Sequence, residues 1–177
     1  MGPVDIKELA IFILGFPPEK RAELLNRQMM GFDALMGLEF CSIDASCVQA
    51  KLKLDQKHTQ PYGVTHGGVY ATLFETVCST GAAFSVMERG LHVVGAENRT
   101  QFLQPSRAGL ELLVEAKPAL VEPDSREAKR ILWRAECRDA AGALYAKGEV
   151  KLALLANDHQ LAAQDIELPY RPPGHES

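Results

Sequence analysis

The sequence predicts an α+β domain in which one long apolar helix packs against an antiparallel sheet. Three observations support this prediction: the helix contains a single charged residue, six other segments have the character of strands, and short polar links join the last four of them. Two strands before the helix and four after it are typical of an antiparallel sheet, because parallel strands need long crossover connections. The chain has 177 residues, which is enough for one domain with a buried core.

The elements follow one another in a simple order. Residues 4–14 are predicted to form an apolar turn or short helix, and Pro18, a residue suited to the first helical turn, is expected to begin a helix that runs to about Met30. Strands are predicted at 38–43 and 48–54, and the second alternates apolar and polar residues with a period of two. The remaining predicted elements are the long helix at 66–87, strands at 93–103, 110–121, 131–138 and 144–154, and a loosely attached tail after about 157.

Composition and charge narrow the classes of function. The net charge is −4, so composition gives no sign of a basic surface for nucleic acid. No apolar run approaches the ~20 residues of a membrane span, and the first residues do not resemble a secretory signal, so the sequence predicts a cytoplasmic protein that binds neither nucleic acid nor membrane. The four cysteines form no Cys-x-x-Cys pair and the five histidines no i, i+4 pair, so neither a metal nor another cofactor is expected.

Glu75 is the one charged residue of the long helix. A helix that is apolar nearly all round is typically buried, and a carboxylate there loses hydration worth several kcal/mol unless it is paired. Glu75 therefore either faces solvent, pairs with a group outside the helix, or opens into a cleft. Because its neighbours are apolar on every side, we favour a functional acid over a solvated one.

A second feature stands at the start of the same helix, where Gly67 and Gly68 leave the first N–H groups uncovered by side chains. Such amides can stabilise negative charge on a carbonyl oxygen. Gly67 and Glu75 are eight residues apart, which is ~12 Å along the axis. Both must lie within ~3 Å of the reacting atoms to act on one carbonyl, so one helix cannot supply both. If they act together, two antiparallel copies do so around a two-fold axis.

A motif that runs from Gln60 to Gly68 reads Gln-Pro-Tyr-Gly-Val-Thr-His-Gly-Gly, and Glu75 follows it. It resembles the hotdog-fold acyl-CoA thioesterases, and more narrowly the branch with phenylacetyl-CoA and 4-hydroxybenzoyl-CoA thioesterases. The resemblance covers roughly residues 32–155 and implies a hotdog fold, in which a bent antiparallel sheet wraps a long central helix. The expected units are an N-terminal helical extension at 1–31, the hotdog domain at 32–156 and a C-terminal tail at 157–177.

The resemblance also implies a role for each residue of the motif. The Gly67 N–H polarises the thioester carbonyl, and His66 shapes the turn before it. The partner subunit's Glu75 acts as general base or as nucleophile. Gln60 contacts the carboxylate site or the thioester, and Ser79, one turn after the acid, helps to hold the attacking water. Two chains pair their sheets edge to edge, so we expect a homodimer or a dimer of such dimers.

The substrate that the resemblance implies is an acyl-CoA. Its phosphates require basic side chains near the site, and its acyl group requires an apolar pocket beside the helix. The candidate substrate-binding residues are Gly68 at the helix start, Phe74 in the acyl pocket, Ser106 and Arg107 in one turn, and Arg126 in another.

The sequence thus predicts hydrolysis of an acyl-CoA thioester, with an aromatic or a short- to medium-chain acyl group, to a free acid and CoA. Two alternatives stay open. A hotdog-fold hydratase or dehydratase would also use an acid with a histidine, although the His-Phe-Pro-Gly entry usual in those enzymes is absent. A non-catalytic acyl-CoA-binding protein would bind the ester without turnover, and the intact glutamine, glycine and glutamate motif argues against it.

Overall fold

The computed structural model describes residues 12–119 and 130–156. Within them, six strands form one antiparallel sheet in the order β1-β2-β4-β5-β6-β3. The strands are β1 Glu39–Asp44, β2 Cys47–Lys53, β3 Leu91–Phe102, β4 Glu111–Pro118, β5 Arg130–Arg138 and β6 Leu144–Ala156. All six predicted strands are confirmed, with small shifts at their ends.

Three α-helices lie entirely within the described residues: α1 Pro18–Arg27, α2 Gly31–Met36 and α3 Gly67–Val86. The long helix α3 is the predicted apolar one, and it contacts all six strands of the sheet. α1 ends before the predicted Met30. α2 was not predicted, because a helix of six residues is too short to show an apolar period. Gly37, with a φ of 76°, ends it.

Alternating side chains of the central strands form the core beneath α3. Every second residue of these strands points toward the helix and is buried, as the period-two pattern predicts. The buried strand residues include Leu112, Val114 and Ala116 on β4, Trp133, Ala135 and Cys137 on β5, and Ala146, Val150 and Leu152 on β6. The opposite face of the sheet carries exposed ion pairs, such as Arg134 with Glu149 and Lys151 with Glu97.

The two edges of the sheet differ. At β1, the side chain of Asn26 in α1 donates from Nδ2 to the carbonyl oxygen of Phe40 (2.8 Å) and accepts from the N–H of Phe40 at Oδ1 (2.9 Å). The amide thus replaces the backbone pair that a neighbouring strand would offer. At the opposite edge, none of the residues described here pairs with the outer side of the twelve-residue strand β3. A free strand edge of this length is a template for pairing with another chain.

Some predicted features fall outside the described residues. These are most of the helix at 4–14, the link before β5 that contains Arg126, and the tail after 157. The division into an extension, a domain and a tail therefore stays a prediction. No helix in the described ranges is long and apolar enough to cross a membrane.

Gly81 marks a close approach between α3 and the sheet. A β carbon on Gly81 would lie 2.4 Å from two ring carbons of Trp133, which is 1% exposed. Alanine normally favours a helix interior over glycine by about 1 kcal/mol, but here it would overlap a buried indole. We expect Gly81→Ala to lower the free energy of unfolding by about 1–3 kcal/mol, measured by urea denaturation.

The matched control is Thr80→Ala, because Thr80 precedes Gly81 in α3 and is only half-buried. This variant should keep a free energy of unfolding close to that of the parent. Equal stability of Gly81→Ala and the parent protein would show that the helix can move away from the indole at no cost.

Candidate active site

The segment before α3 is a tight loop that is closed at its base. Thr59 and Thr65 form an isolated antiparallel bridge. Between them, Gly63 has a φ of 75°, in the left-handed region that glycine adopts without strain. The loop therefore turns back on itself and brings Gln60 next to the helix start, where Gln60 and Gly67 line one cleft of about 470 Å³.

His66 caps α3. Its Nδ1 accepts a hydrogen bond from the N–H of Gly68 (2.9 Å), and its backbone is extended, with φ −67° and ψ 135°. A β carbon on Gly68 would lie 2.9 Å from the same Nδ1, so a glycine lets the ring close over the helix start. This geometry gives His66 a capping role at the turn.

Gly67 is the first residue of α3, and its N–H has no acceptor within the described part of the chain. Unpaired amides are normal in the first turn of a helix, where the helix dipole also favours negative charge. The ring of Phe102 lies over Gly67, since an added β carbon would be 2.9 Å from Cζ. Because Gln60, Gly67 and Phe102 line the same cleft, the amide is suited to bind a carbonyl oxygen there.

A chain of hydroxyl groups from Thr65, Tyr70 and Ser106, all largely buried, forms part of the cleft wall. The Oγ of Ser106 donates to the Oγ1 of Thr65 (2.6 Å) and is 2.6 Å from the hydroxyl of Tyr70. The Thr65 N–H also donates to the carbonyl oxygen of Ser106 (2.9 Å). Ser106 is 4% exposed. Its hydrogen bonds attach the link between β3 and β4 to the start of α3. Burial raises the pKa of Tyr70, which keeps its hydroxyl neutral.

Glu75 lies on the side of α3 that faces β3. Its Oε2 accepts a hydrogen bond from the Nδ2 of Asn98 (3.0 Å), and the Oγ of Ser79 is 3.4 Å from its Oε1. The side chain is half-buried, and its Oε1 lies against Gly95. Ser79 is thus next to the acid, as the i+4 spacing predicts. Asn98 and Gly95 are neighbours that the sequence analysis did not identify.

The free amide and the carboxylate lie at different points along one strand. Phe102 of β3 is next to Gly67, and Asn98 of β3 is next to Glu75. Both groups belong to one continuous helix, so the ~12 Å between their Cα atoms is fixed by its rise. Within one chain the two groups do not meet.

Other predicted site residues lie away from these groups. Phe74 has no exposed surface, and its ring packs against Gly148 of β6. Its side chain therefore lies in the core and not on the cleft. Arg107 is exposed in the turn before β4, next to the buried Ser106. Arg126 lies outside the described residues.

Cys78 lies three residues after Glu75 but has no exposed surface. Burial, with a smaller contribution from the nearby Glu75 carboxylate, raises the pKa of this thiol well above its ordinary range. A thiolate nucleophile at this position is therefore disfavoured. Among the residues that the structure describes, no group of three or more His, Cys, Asp or Glu side chains could hold a metal ion.

Comparison with known proteins agrees with the fold and with the class of enzyme. The sequence model of the thioesterase superfamily matches residues 62–141, from the loop before α3 to the turn after β5. A proposed esterase of Mycobacterium tuberculosis is 32% identical over 124 residues, which cover 68% of this chain and 84% of that protein. The chain therefore belongs to the thioesterase superfamily, with its hotdog fold, and is a thioester hydrolase.

Further relatives fit the same assignment. The crystal structure of AziG from S. sahachiroi matches with a TM-score of 0.65 and 34% identity, covering 72% of this chain and 98% of that one. The 1,4-dihydroxy-2-naphthoyl-CoA hydrolase of Listeria monocytogenes is 36% identical over 81 residues, which cover 46% of this chain and 65% of that protein. The predicted fold and class of enzyme are thus confirmed.

A histidine that only caps the helix can be replaced by another capping residue. Alanine leaves the Gly68 N–H without its acceptor, so His66→Ala should lower the free energy of unfolding by about 1 kcal/mol. His66→Asn should restore most of this loss, because asparagine is among the best N-cap residues. Urea denaturation measures both variants, and kcat for thioester hydrolysis should follow the same order. A stable but inactive His66→Asn variant would instead assign acid–base chemistry to the imidazole.

Proposed function

We propose that this protein hydrolyses an acyl-CoA thioester at a site shared by two copies of the chain. The Gly67 N–H of one copy binds the thioester carbonyl oxygen, and Glu75 of the other copy promotes attack on the carbonyl carbon. One observation carries the proposal: the N-terminal amide of α3 and a half-buried carboxylate are on the same helix and both face β3, and within residues 12–119 and 130–156 neither that amide nor the outer edge of β3 has a partner.

The chemistry of these two groups supports a hydrolytic route. As general base, Glu75 takes a proton from water while the water oxygen bonds to the carbonyl carbon, and the carbonyl electron pair moves onto the oxygen held by Gly67. The intermediate then collapses, the C–S bond breaks, and the proton passes from Glu75 to the departing thiolate of CoA. As nucleophile, Glu75 would instead bond to the carbon itself, expel the thiolate and leave an anhydride for water to hydrolyse.

Two further side chains support these steps. Ser79 is 3.4 Å from the Oε1 of Glu75, on the same face of α3, where its hydroxyl can hold the attacking water. Gln60 lines the cleft at the helix start together with Gly67, so its amide can contact the thioester. We assign both to positioning of the reactants.

A dimer follows from the spacing on α3 and from the edges of the sheet. Gly67 and Glu75 lie too far apart in one chain to act on the same carbonyl, whereas two antiparallel copies of α3 would bring each amide to the other copy's acid. At the β1 edge, Asn26 already pairs with the backbone of Phe40, whereas none of the described residues pairs with the outer side of β3, which lies next to both catalytic groups. Pairing through β3 would therefore join the two sheets and complete two equivalent sites.

The proposed substrate class is aromatic or short- to medium-chain acyl-CoA. The Listeria monocytogenes relative is named for hydrolysis of an aromatic acyl-CoA. In this chain, Gly67 lines a cleft of about 470 Å³. Ser106 lines this cleft, and the exposed Arg107 is the next residue in the same turn. At this position Arg107 can pair with a phosphate of CoA.

The first test removes the carboxylate of Glu75. We expect Glu75→Gln to lower kcat for acyl-CoA hydrolysis by at least about 10²-fold, the usual contribution of a positioned base. Release of free thiol from a panel of benzoyl-type and C2–C16 acyl-CoA esters measures it. The matched control is Glu88→Gln, because Glu88 is an exposed acid in the turn after α3. Undiminished activity of Glu75→Gln, or hydration of crotonyl-CoA without thiol release, would contradict the proposal.

The second test removes the amide hydrogen of Gly67 and little else. Proline has no N–H, is favoured at the first position of a helix, and requires an extended residue before it, which His66 already is. The ring of Phe102 would have to move, and at 60% exposure it is free to do so. We expect Gly67→Pro to fold and dimerise but to lose about 10²–10³-fold in kcat. Full activity would remove Gly67 from the mechanism.

Mixing these two variants tests whether the site is shared. In a heterodimer of Glu75→Gln and Gly67→Pro chains, one site contains both substitutions and the other contains neither. Co-expressed chains that pair at random should therefore regain about one quarter of the parent activity. Activity no higher than that of the two variants alone would place both groups in sites built from single chains.

A further inference from the structure

We propose that Asn98 and Gly95 of β3 are positioning residues that fix the carboxylate of Glu75 for catalysis. This inference rests on the role proposed above for Glu75. It goes further by assigning the geometry of the acid to a bulged segment of the edge strand, whose residues do not touch the substrate in the proposed mechanism.

A β-bulge places both residues on the helix-facing side of β3. Gly95 and Asn98 are three positions apart, so in a regular strand they would point to opposite faces. Their partners on β6 are Leu152 and Val150, which are two positions apart, and both are buried under α3. The register shifts between Gly95 and Glu97, which leaves Ala96 as the extra residue. Bulges commonly redirect a side chain next to an active site.

Both hydrogens and the oxygen of the Asn98 amide take part in holding this geometry. Its Nδ2 donates one hydrogen to the Oε2 of Glu75 (3.0 Å) and the other to the carbonyl oxygen of Ala71 (3.0 Å). Its Oδ1 accepts from the Oγ1 of Thr100 (2.8 Å), which lies two residues further along the same face. Because two acceptors meet Nδ2 and one donor meets Oδ1, the orientation of the amide is determined. Asn98 therefore links the acid to the backbone of α3 one turn earlier.

Gly95 supplies the space for the same carboxylate. A β carbon at this position would lie 2.1 Å from the Oε1 of Glu75 and 3.1 Å from its Cδ. Gly95 is not among the glycines with a positive φ, so the backbone itself does not require glycine here. The requirement is for room: any side chain at position 95 would push the carboxylate away from β3.

Together the two residues leave one carboxylate oxygen available. Oε2 is held by the hydrogen bond from Asn98, while Oε1 lies against Gly95 and, among the described residues, has no hydrogen-bond partner except the long contact with Ser79 (3.4 Å). Glu75 forms no ion pair within the described ranges. Oε1 is thus the oxygen placed to accept a proton from water or to attack carbon. A displacement of about 1 Å at a reacting group can cost about 10²-fold in rate.

The test combines Asn98→Leu and Gly95→Ala with a shorter acid. Leucine is close in size to asparagine but cannot donate, so Asn98→Leu should lower kcat for acyl-CoA hydrolysis by about 10–100-fold and change KM by less than about 3-fold. Gly95→Ala should behave in the same way. In a Glu75→Asp background the shorter side chain reaches neither residue, so each substitution should then change kcat by less than about 3-fold.

Gln101→Leu is the matched control, because Gln101 lies on β3 but borders a cleft with Arg134 and Glu149 on the outer face of the sheet. It should keep kcat and KM near the parent values. Thermal unfolding and the oligomeric state are measured for every variant. If Gly95→Ala does not fold, Asn98→Leu and the near-isosteric Asn98→Asp, which also lacks the amide donor, decide the question.

The outcomes separate this inference from the proposed function. Loss of kcat in both backgrounds by the same factor, or a kcat for Asn98→Leu within about 2-fold of the parent, would overturn the positioning role. If Glu75→Gln is inactive while Asn98→Leu is fully active, only the inference about β3 fails. If Glu75→Gln keeps full activity, the proposed function fails first.

Discussion

A carboxylate on an apolar helix needs polar partners from elsewhere in the fold, and here the hydrogen bond from Asn98 to Glu75 supplies one. An anion that loses hydration is destabilised by several kcal/mol unless hydrogen bonds replace the lost water. On α3 itself Glu75 has only the hydroxyl of Ser79 at 3.4 Å, whereas Asn98 donates from β3 at 3.0 Å. The location of the acid therefore depends on the edge strand as much as on the helix.

That contact depends in turn on the apolar core. Val150 and Leu152 of β6 have no exposed surface under α3, and β3 is aligned to them by its backbone pairs with β6. A slip of one residue between two strands exchanges the faces of every side chain. Such a slip would turn Asn98 away from the helix and bring a side chain against the carboxylate in place of Gly95. The packing of the core thus fixes the position of this polar site.

The sequence predicts the helix, the strands and the helix-start motif, because each leaves a local pattern of apolar residues or glycines. It places Phe74 in an acyl pocket, although the side chain is in the core, because a central helix buries more than one face. Asn98 and Gly95 were beyond prediction, since strand alternation assigns residues three apart to opposite faces. Only the bulge at Ala96 reverses that assignment, and bulges have no reliable sequence signal.

The space at Gly95 also bears on the length of the catalytic acid. An aspartate in place of Glu75 would be one methylene shorter and would stop before reaching β3, so a side chain at position 95 would then be compatible with it. A glutamate reaches the strand and requires a glycine there, since its Oε1 takes the position of a β carbon. Glu75, Gly95 and Asn98 therefore depend on one another. A change in the length of the acid changes both the space that is needed at position 95 and the reach of the hydrogen bond from position 98.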